Sequence, residues 1–372
     1  MQGKAVDIER QNFENNTTGQ RLFLMMAIIV IGFNLRPAIT SVGPLLGTIR
    51  DEIGLANWSA GTITSLPLIA FAMMSPLAPK IANKLGNVRT ILLGLFLLLG
   101  GIGIRSIPFT PTLFIGTATV GIGIAIMNVL LPAFIKEKFP HRVGRMTSVY
   151  STSMNIFAAT AAGLSVPLAN GIGLGWELAL LSWALITIVG IIIWLIVRKQ
   201  DESIPHDELT IKTVPVGNLW KSALAWQVTF FMGLQSLLFY VIVSWLPEMM
   251  HDFGFSVATA GWLLSYVQFI SLPGTFLAPV LAERYPNQQR IMLVIGGLCT
   301  VGFTGLLIGG PLPLIVLWLT FIGIVIGATI SLSLALLGMR ARNARQAGEL
   351  SGMAQSVGYV LAASGPLFIG LL

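Results

Sequence analysis

Arg36 stands in the stretch 31–40, Ile-Gly-Phe-Asn-Leu-Arg-Pro-Ala-Ile-Thr, inside an apolar run that begins at Leu22 and continues past Pro44. A guanidinium is planar, permanently charged and carries five N–H donors, so it grips small oxyanions and nitro groups through two parallel hydrogen bonds. Arg36 follows Leu22 by fourteen residues, about 21 Å along a helix, too deep for its side chain to reach an aqueous interface. An arginine at the centre of a membrane helix costs about 2.5 to 3.5 kcal/mol on insertion scales, so it is expected to face the interior of a bundle. All fifteen carboxylates fall in tails, loops or helix ends, among them Glu177, Glu248 and Asp252 at outer ends and Glu349 at an inner start. With no acid opposite, Arg36 is expected to meet water, backbone carbonyls and an anionic or strongly polar solute.

Helical spacing puts Gly32, Phe33, Thr40 and Gly43 on the face of Arg36. Pro37 has no N–H, which leaves the Phe33 carbonyl free and predicts a kink. Asn34 points roughly the other way, and either joins the solute or clamps two helices together. Later stretches offer aromatic and amide stripes: Tyr150, Ser153 and Phe157; Gln227, Phe231 and Gln235; Trp262 and Tyr266; Gly352, Gln355 and Tyr359. Such groups orient a small planar solute by stacking and hydrogen bonding, or else they only pack and form interfacial belts. The candidate substrate-binding set is therefore Arg36, Asn34, Thr40, Tyr150, Ser153, Gln235, Tyr266, Gln355 and Tyr359. Asn128 and Asn155 read as packing amides, and glycines such as Gly121 and Gly123 as sites of close helix approach.

The elements that must hold these residues are membrane helices. The chain has 372 residues, 55% hydrophobic and 10% charged, with a mean hydropathy of +0.82. Apolar runs of helix-spanning length recur near 22–50, 57–80, 88–107, 111–138, 145–170, 174–198, 222–250, 257–281, 288–310, 312–338 and 349–372. They are too long and too continuous for the alternating strands of a membrane barrel, so an all-α integral membrane bundle of eleven helices is expected. Nineteen of the 22 Lys and Arg fall on one side of that bundle if the N-terminus is cytoplasmic, and only Arg50 and Arg105 sit near the other face. The net charge of +7 thus follows the positive-inside rule rather than marking a nucleic-acid partner, although a basic site for anionic lipid is also compatible. The expected organisation is a cytoplasmic tail over 1–21, a six-helix bundle over 22–198, a cytoplasmic linker over 199–221 and a second bundle over 222–372. The single cysteine, Cys299, leaves the redox compartment open.

A shift of 200 residues aligns the chain with itself. Leu-Ala-Pro-Lys-Ile-Ala-Asn-Lys-Leu-Gly-Asn at 77–87 meets Leu-Ala-Pro-Val-Leu-Ala-Glu-Arg-Tyr-Pro-Asn at 277–287, and Gly54 meets Gly254. Two parallel repeats around a midplane site are one plan of secondary transporters. The first repeat has six helices and the second five, so the sequence predicts a twelfth helix beyond Leu372; a chain of eleven would instead leave its C-terminus outside.

On these features the chain resembles the major facilitator superfamily. Asn-Leu-Arg-Pro-Ala-Ile-Thr-Ser-Val-Gly-Pro-Leu-Leu from Asn34, and the stretch from Asn128 to Asn155, resemble its cyanate-permease and nitroimidazole-exporter branch. The resemblance implies two pseudo-symmetric six-helix halves that rock around a solute. It also implies gating loops, here Asn83, Lys84, Gly86 and Arg89 in the first copy and Glu283 and Arg284 in the second. The first loop departs from the superfamily pattern, with Pro79 for a glycine, Asn83 for an aspartate, Lys84 for an arginine and Asn87 for a further arginine; in the second, Pro286 replaces the glycine. Thr117 stands where many drug/proton antiporters have an arginine. The substrates implied are cyanate-like or nitrate-like anions or nitroaromatic compounds, carried by a monomer of the cell (plasma or inner) membrane.

Alternatives differ in class. A membrane-embedded enzyme needs clustered carboxylates, His or Cys, and His141, His206 and His251 all lie in loops or at helix ends. No phosphate-binding loop or His-Glu-x-x-His is present, so no catalytic residue, metal or cofactor is expected. An exporter of organic cations wants a buried acid, and a channel does not need a repeat. A multidrug exporter of the same fold, or a facilitative carrier without proton coupling, stays open.

Overall fold

The computed structural model describes residues 19–55, 57–202, 219–285 and 287–370. Most of the expected N-terminal tail and residues 203–218 of the expected linker lie outside the described residues. What is described is helical: α1 (19–34), α2 (Pro37–Thr40), α3 (Leu46–Ile53), α4 (Asn57–Met74), α5 (Ala78–Leu85), α6 (Asn87–Arg105), α7 (Thr110–Lys138), α8 (Val143–Val166), α9 (Gly175–Leu181) and α10 (Ala184–Glu202). After residue 218 come α11 (Ala223–Asp252), α12 (Val257–Arg284), α13 (Gln289–Ile308), α14 (Leu312–Met339) and α15 (Ala344–Gly370).

Each apolar run coincides with helix, but eight helices among the described residues are long and apolar enough to cross a membrane by themselves. A ninth joins them if the pair Ser65–Met74 and Ala78–Leu85, bent by 52°, is one span. The difference from the expected eleven lies in α8 and α15 as well as in that bent pair, and in α8 its physical source is plain. That helix carries Thr147, Ser148 and Ser151, all buried against neighbours, so a helix enclosed by protein need not be apolar throughout. A chain with several such spans and no described strand is a multi-pass membrane protein.

Helix limits follow local chemistry. Ser222 and Ser256 cap α11 and α12 by accepting the Ala225 and Thr259 N–H groups. Gly54 ends α3 at φ 73° and Gly254 follows α11 at φ 86°, a left-handed turn that only glycine adopts cheaply, at positions that the 200-residue shift superimposes. α1 stops at Asn34 and the chain restarts as helix at Pro37, with Arg36 in the gap at φ −128° and ψ −35°. Before residue 203, α6 packs along α7 and α4 against α7; after residue 218, α13 packs along α14 and α12 against α14. The two sets meet where α8 lies on α12, and where α15 lies on α4 and α7.

Candidate functional site

The break after Asn34 positions the cation. Pro37 opens the four-residue α2, whose first amides, Ile39 N–H and Thr40 N–H, both donate to the Arg36 carbonyl at 2.9 and 3.0 Å. Thr40 Oγ1 donates to Ala158 O of α8 at 3.0 Å, which pins α2 to that helix. Gly32 lies against α8 so closely that a Cβ there would stand 2.8 Å from Tyr150 O. These contacts fix the backbone on both sides of Arg36.

The half-buried Arg36 guanidinium sits over the Phe239 ring of α11, 5.4 Å from its centroid. Among the described residues no carboxylate or hydrogen-bond acceptor holds it. Tyr240 and Tyr359 lie within electrostatic range of this charge, and Tyr150 and Tyr240 within range of Tyr359. Phe239 meets Tyr240 edge-on at 5.2 Å, Phe71 tilts against Tyr359 at 5.0 Å, and Phe33 stacks on Phe157 at 3.8 Å. Asn128 Nδ2 donates to Gln355 Oε1 at 3.0 Å and to Tyr359 O–H at 3.4 Å, while Gln355 Nε2 donates back to the Asn128 carbonyl and to Ser351 Oγ. One cation, three phenols and several rings thus converge from the α1–α2 break and from α1, α4, α8, α11 and α15, beside an amide pair linking α7 and α15. Among the described residues, the Tyr150 hydroxyl and Gln235 Oε1 are buried without a partner.

The candidates from sequence do not all gather there. Arg36, Tyr150 and Tyr359 come together, with Gln355 next to them. Asn34 turns to α10, donating to Val30 O at 2.8 Å and Ile186 O at 3.5 Å, which is the helix-clamp alternative. Ser153 Oγ donates to Val149 O of its own helix, and Tyr266 shares a hydrogen bond with Thr320 of α14 at 2.8 Å. Gln235 Nε2 donates to Met232 O and Ser236 Oγ. Asn128 and Asn155, read as packing amides, bond across the two sets of helices, the latter to Thr275 Oγ1 at 3.2 Å. Phe239 and Tyr240 were missed, although Phe239 continues the Phe231–Gln235 stripe by one more helical turn.

The burial of one sequence-placed arginine was not foreseen. Arg105, read as lying near the outer face, does end α6, and there it is wholly buried, with its Nη1 donating to the Ala38 carbonyl of α2. Position along the helix predicted its depth, whereas the close approach of Gly116 on α7 decides its enclosure.

Of the gating candidates, Asn83, Lys84 and Gly86 are exposed around the end of α5, where Gly86 takes φ 86°, and Arg89 is exposed on α6. Glu283 does not work with Arg284, its neighbour in sequence. Its Oε2 accepts the Arg145 N–H in the first turn of α8 at 2.8 Å, and its Oε1 lies 3.3 Å from Arg145 Nε. A carboxylate at a helix N-terminus satisfies free amides and complements the helix dipole. Nearby, Ser148 Oγ donates to Phe276 O, and Ser356 Oγ to Ala72 O, so the two helix sets are bonded together at this end. At the opposite end a recess of about 340 Å³ is lined by Glu52, Ile53, Pro108, Phe109, Thr110, Trp176 and Glu177, away from Arg36.

Comparison with known proteins agrees with this architecture. The chain is 49% identical over 360 residues to the uncharacterized transporter YycB of Bacillus subtilis, covering 96% of this chain and 88% of that one. It is 41% identical to the 2-nitroimidazole transporter of Escherichia coli, covering 94% and 88%, and 26% identical to the cyanate transport protein CynX of the same organism, covering 94% and 89%. The fold matches the proton:xylose symporter XylE bound to 6-bromo-6-deoxy-D-glucose at a TM-score of 0.70 and 13% identity, over 95% of this chain and 89% of that one. The family model of the Major Facilitator Superfamily matches residues 22–366, and the chain belongs to that family.

Proposed function

We propose that this chain is a secondary transporter that moves a small anionic or polar planar solute, cyanate-, nitrate- or nitroaromatic-like, by alternating access. Two pseudo-symmetric halves, 22–198 and 222–372, rock around Arg36, joined by the cytoplasmic linker 199–221, in a monomer of the cell membrane with its N-terminus inside. The observation that carries this reading is the Arg36 guanidinium, seated at a helix break over Phe239 with no carboxylate among the described residues holding it. The relatives named for 2-nitroimidazole and cyanate support the solute class, since a nitro group and a cyanate ion both present electron-rich atoms to a guanidinium. With the cytoplasmic end closed by the Glu283–Arg145 contact, the state is the one that faces outside.

Coupling follows from the same absence of a midplane acid among the described residues. Without a side chain there to carry a proton, exchange, facilitated diffusion or a proton travelling on the solute itself drives transport. The test is uptake of 2-nitroimidazole and of cyanate by the purified chain in liposomes, with and without a pH gradient and with the opposite side preloaded. Arg36→Ala is expected to abolish uptake while the protein still inserts; full uptake by that variant overturns the assignment.

A further inference from the structure

Arg105, unlike the half-buried Arg36, is fully enclosed, and among the described residues no carboxylate meets it. Its side chain is wholly enclosed between α6, α2 and α7, and Nε and Nη2 have no partner among the described residues. A buried charge with unmet donors costs a fold free energy, whereas an apolar side chain of similar length fills the same space without that cost. Stability alone therefore does not explain a guanidinium at this position.

Its one bond suggests what does. Nη1 donates to the carbonyl of Ala38, two residues beyond Arg36 and inside the four-residue α2. A helix that short cannot hold itself, because nucleation costs more than a single turn returns. α2 has no side-chain cap, and a void of about 10 Å³ beside it is lined by Phe33, Pro37, Ala38 and Ile102, among others. The break is tied on the α8 side by Thr40 and on the α6 side by Arg105.

We propose that Arg105 is a positioning residue for the transport site: its guanidinium holds the Ala38 carbonyl and so sets where the α1–α2 break presents Arg36 to the solute. The proposal rests on the reading of Arg36 as the solute-binding cation. Two variants of the full chain separate it from a purely structural role. Arg105→Met keeps length and removes donors and charge; Arg105→Lys keeps a charge and one donor for the carbonyl.

The first readout needs no solute. Hydrogen–deuterium exchange of peptides covering 36–42 should quicken at least about tenfold in Arg105→Met, with an unchanged or raised melting temperature, and return to within about threefold of the parent in Arg105→Lys. Unchanged exchange in Arg105→Met overturns the proposal, and so does a lowered melting temperature with exchange raised uniformly along α6 and α7. The second readout is uptake of 2-nitroimidazole in liposomes, where KM should rise about tenfold in Arg105→Met with kcat changed less than about twofold, and recover in Arg105→Lys. If Arg36→Ala leaves uptake intact, the assignment of Arg36 fails and the exchange result still decides whether Arg105 braces the break. If Arg36→Ala abolishes uptake while Arg105→Met alters neither exchange nor KM, the present proposal alone fails. Should Arg105→Met not insert, Arg105→Lys decides: values within about threefold of the parent support the brace, and tenfold changes at an unchanged melting temperature overturn it.

Discussion

A guanidinium lying on an aromatic face is held in place while the N–H groups along its edge remain available to a ligand. Phe239 serves Arg36 in this way. A cation–π contact is worth from about 0.5 kcal/mol when exposed to about 2 kcal/mol when desolvated, so Phe239→Leu, which keeps apolar bulk and removes the π face, should raise KM for 2-nitroimidazole about twofold to thirtyfold. An ammonium cannot give the two parallel bonds of the fork, so Arg36→Lys should retain less than about a tenth of parental uptake in the same liposome assay. The sequence exposed Arg36, Tyr150, Gln355 and Tyr359 because polar groups are rare inside membrane helices and stand out when they occur. Phe239 was harder to see, since a phenylalanine in an apolar helix looks like any other packing residue until a charge is found above it. The enclosure of Arg105 was hidden for a related reason: distance along a helix measures depth in the bilayer and says nothing about which neighbour closes over the side chain.

Helix α1 illustrates what a whole element contributes. Its approach to α8 at Gly32 leaves no room for a methyl group, because the added Cβ would stand 2.8 Å from the Tyr150 carbonyl oxygen. Gly32→Ala should push the helices apart at a cost of about 1 to 3 kcal/mol, the usual penalty for overpacking. A melting curve in detergent should then shift down by about a few degrees, and uptake should fall as Arg36 moves away from Phe239. Hydropathy found the helical runs because burial in lipid demands about twenty apolar residues each. It averaged over the interruptions, however. The gap between α4 and α5 at Ser75–Leu77 and that between α9 and α10 at Ser182–Trp183 lie within runs read as continuous. The break in α1 was legible only because proline announces the loss of a backbone donor.

For the molecule as a whole, the contact that alternating access, as proposed, would have to break is the one that joins the two sets of helices at the Glu283 end. A carboxylate at a helix N-terminus is worth up to about 2 kcal/mol in partly buried geometry, so Glu283→Gln should shift the balance of states by as much as about thirtyfold. Spin labels at Lys84 and Arg342, both exposed at this end, report the change in a chain with Cys299→Ser. Dipolar distances should lengthen in Glu283→Gln, and a distribution identical to the parent would remove the latch from the mechanism. The paired loops at 77–87 and 277–287 gave the sequence its clue to a gate, yet not the partner. That partner, the first turn of α8, is distant in sequence, and its backbone N–H groups do not register as a motif.

The recess at the other end carries Glu52 and Glu177 on its rim. Under the proposed outward-facing reading, negative solutes that enter by this recess should be repelled before they touch the protein, over a screening distance of about 8 Å at physiological ionic strength. Added potassium chloride should therefore hasten the capture of cyanate from that side and leave the capture of an uncharged nitroimidazole unaltered, so the two solutes would part company on a plot of initial rate against salt.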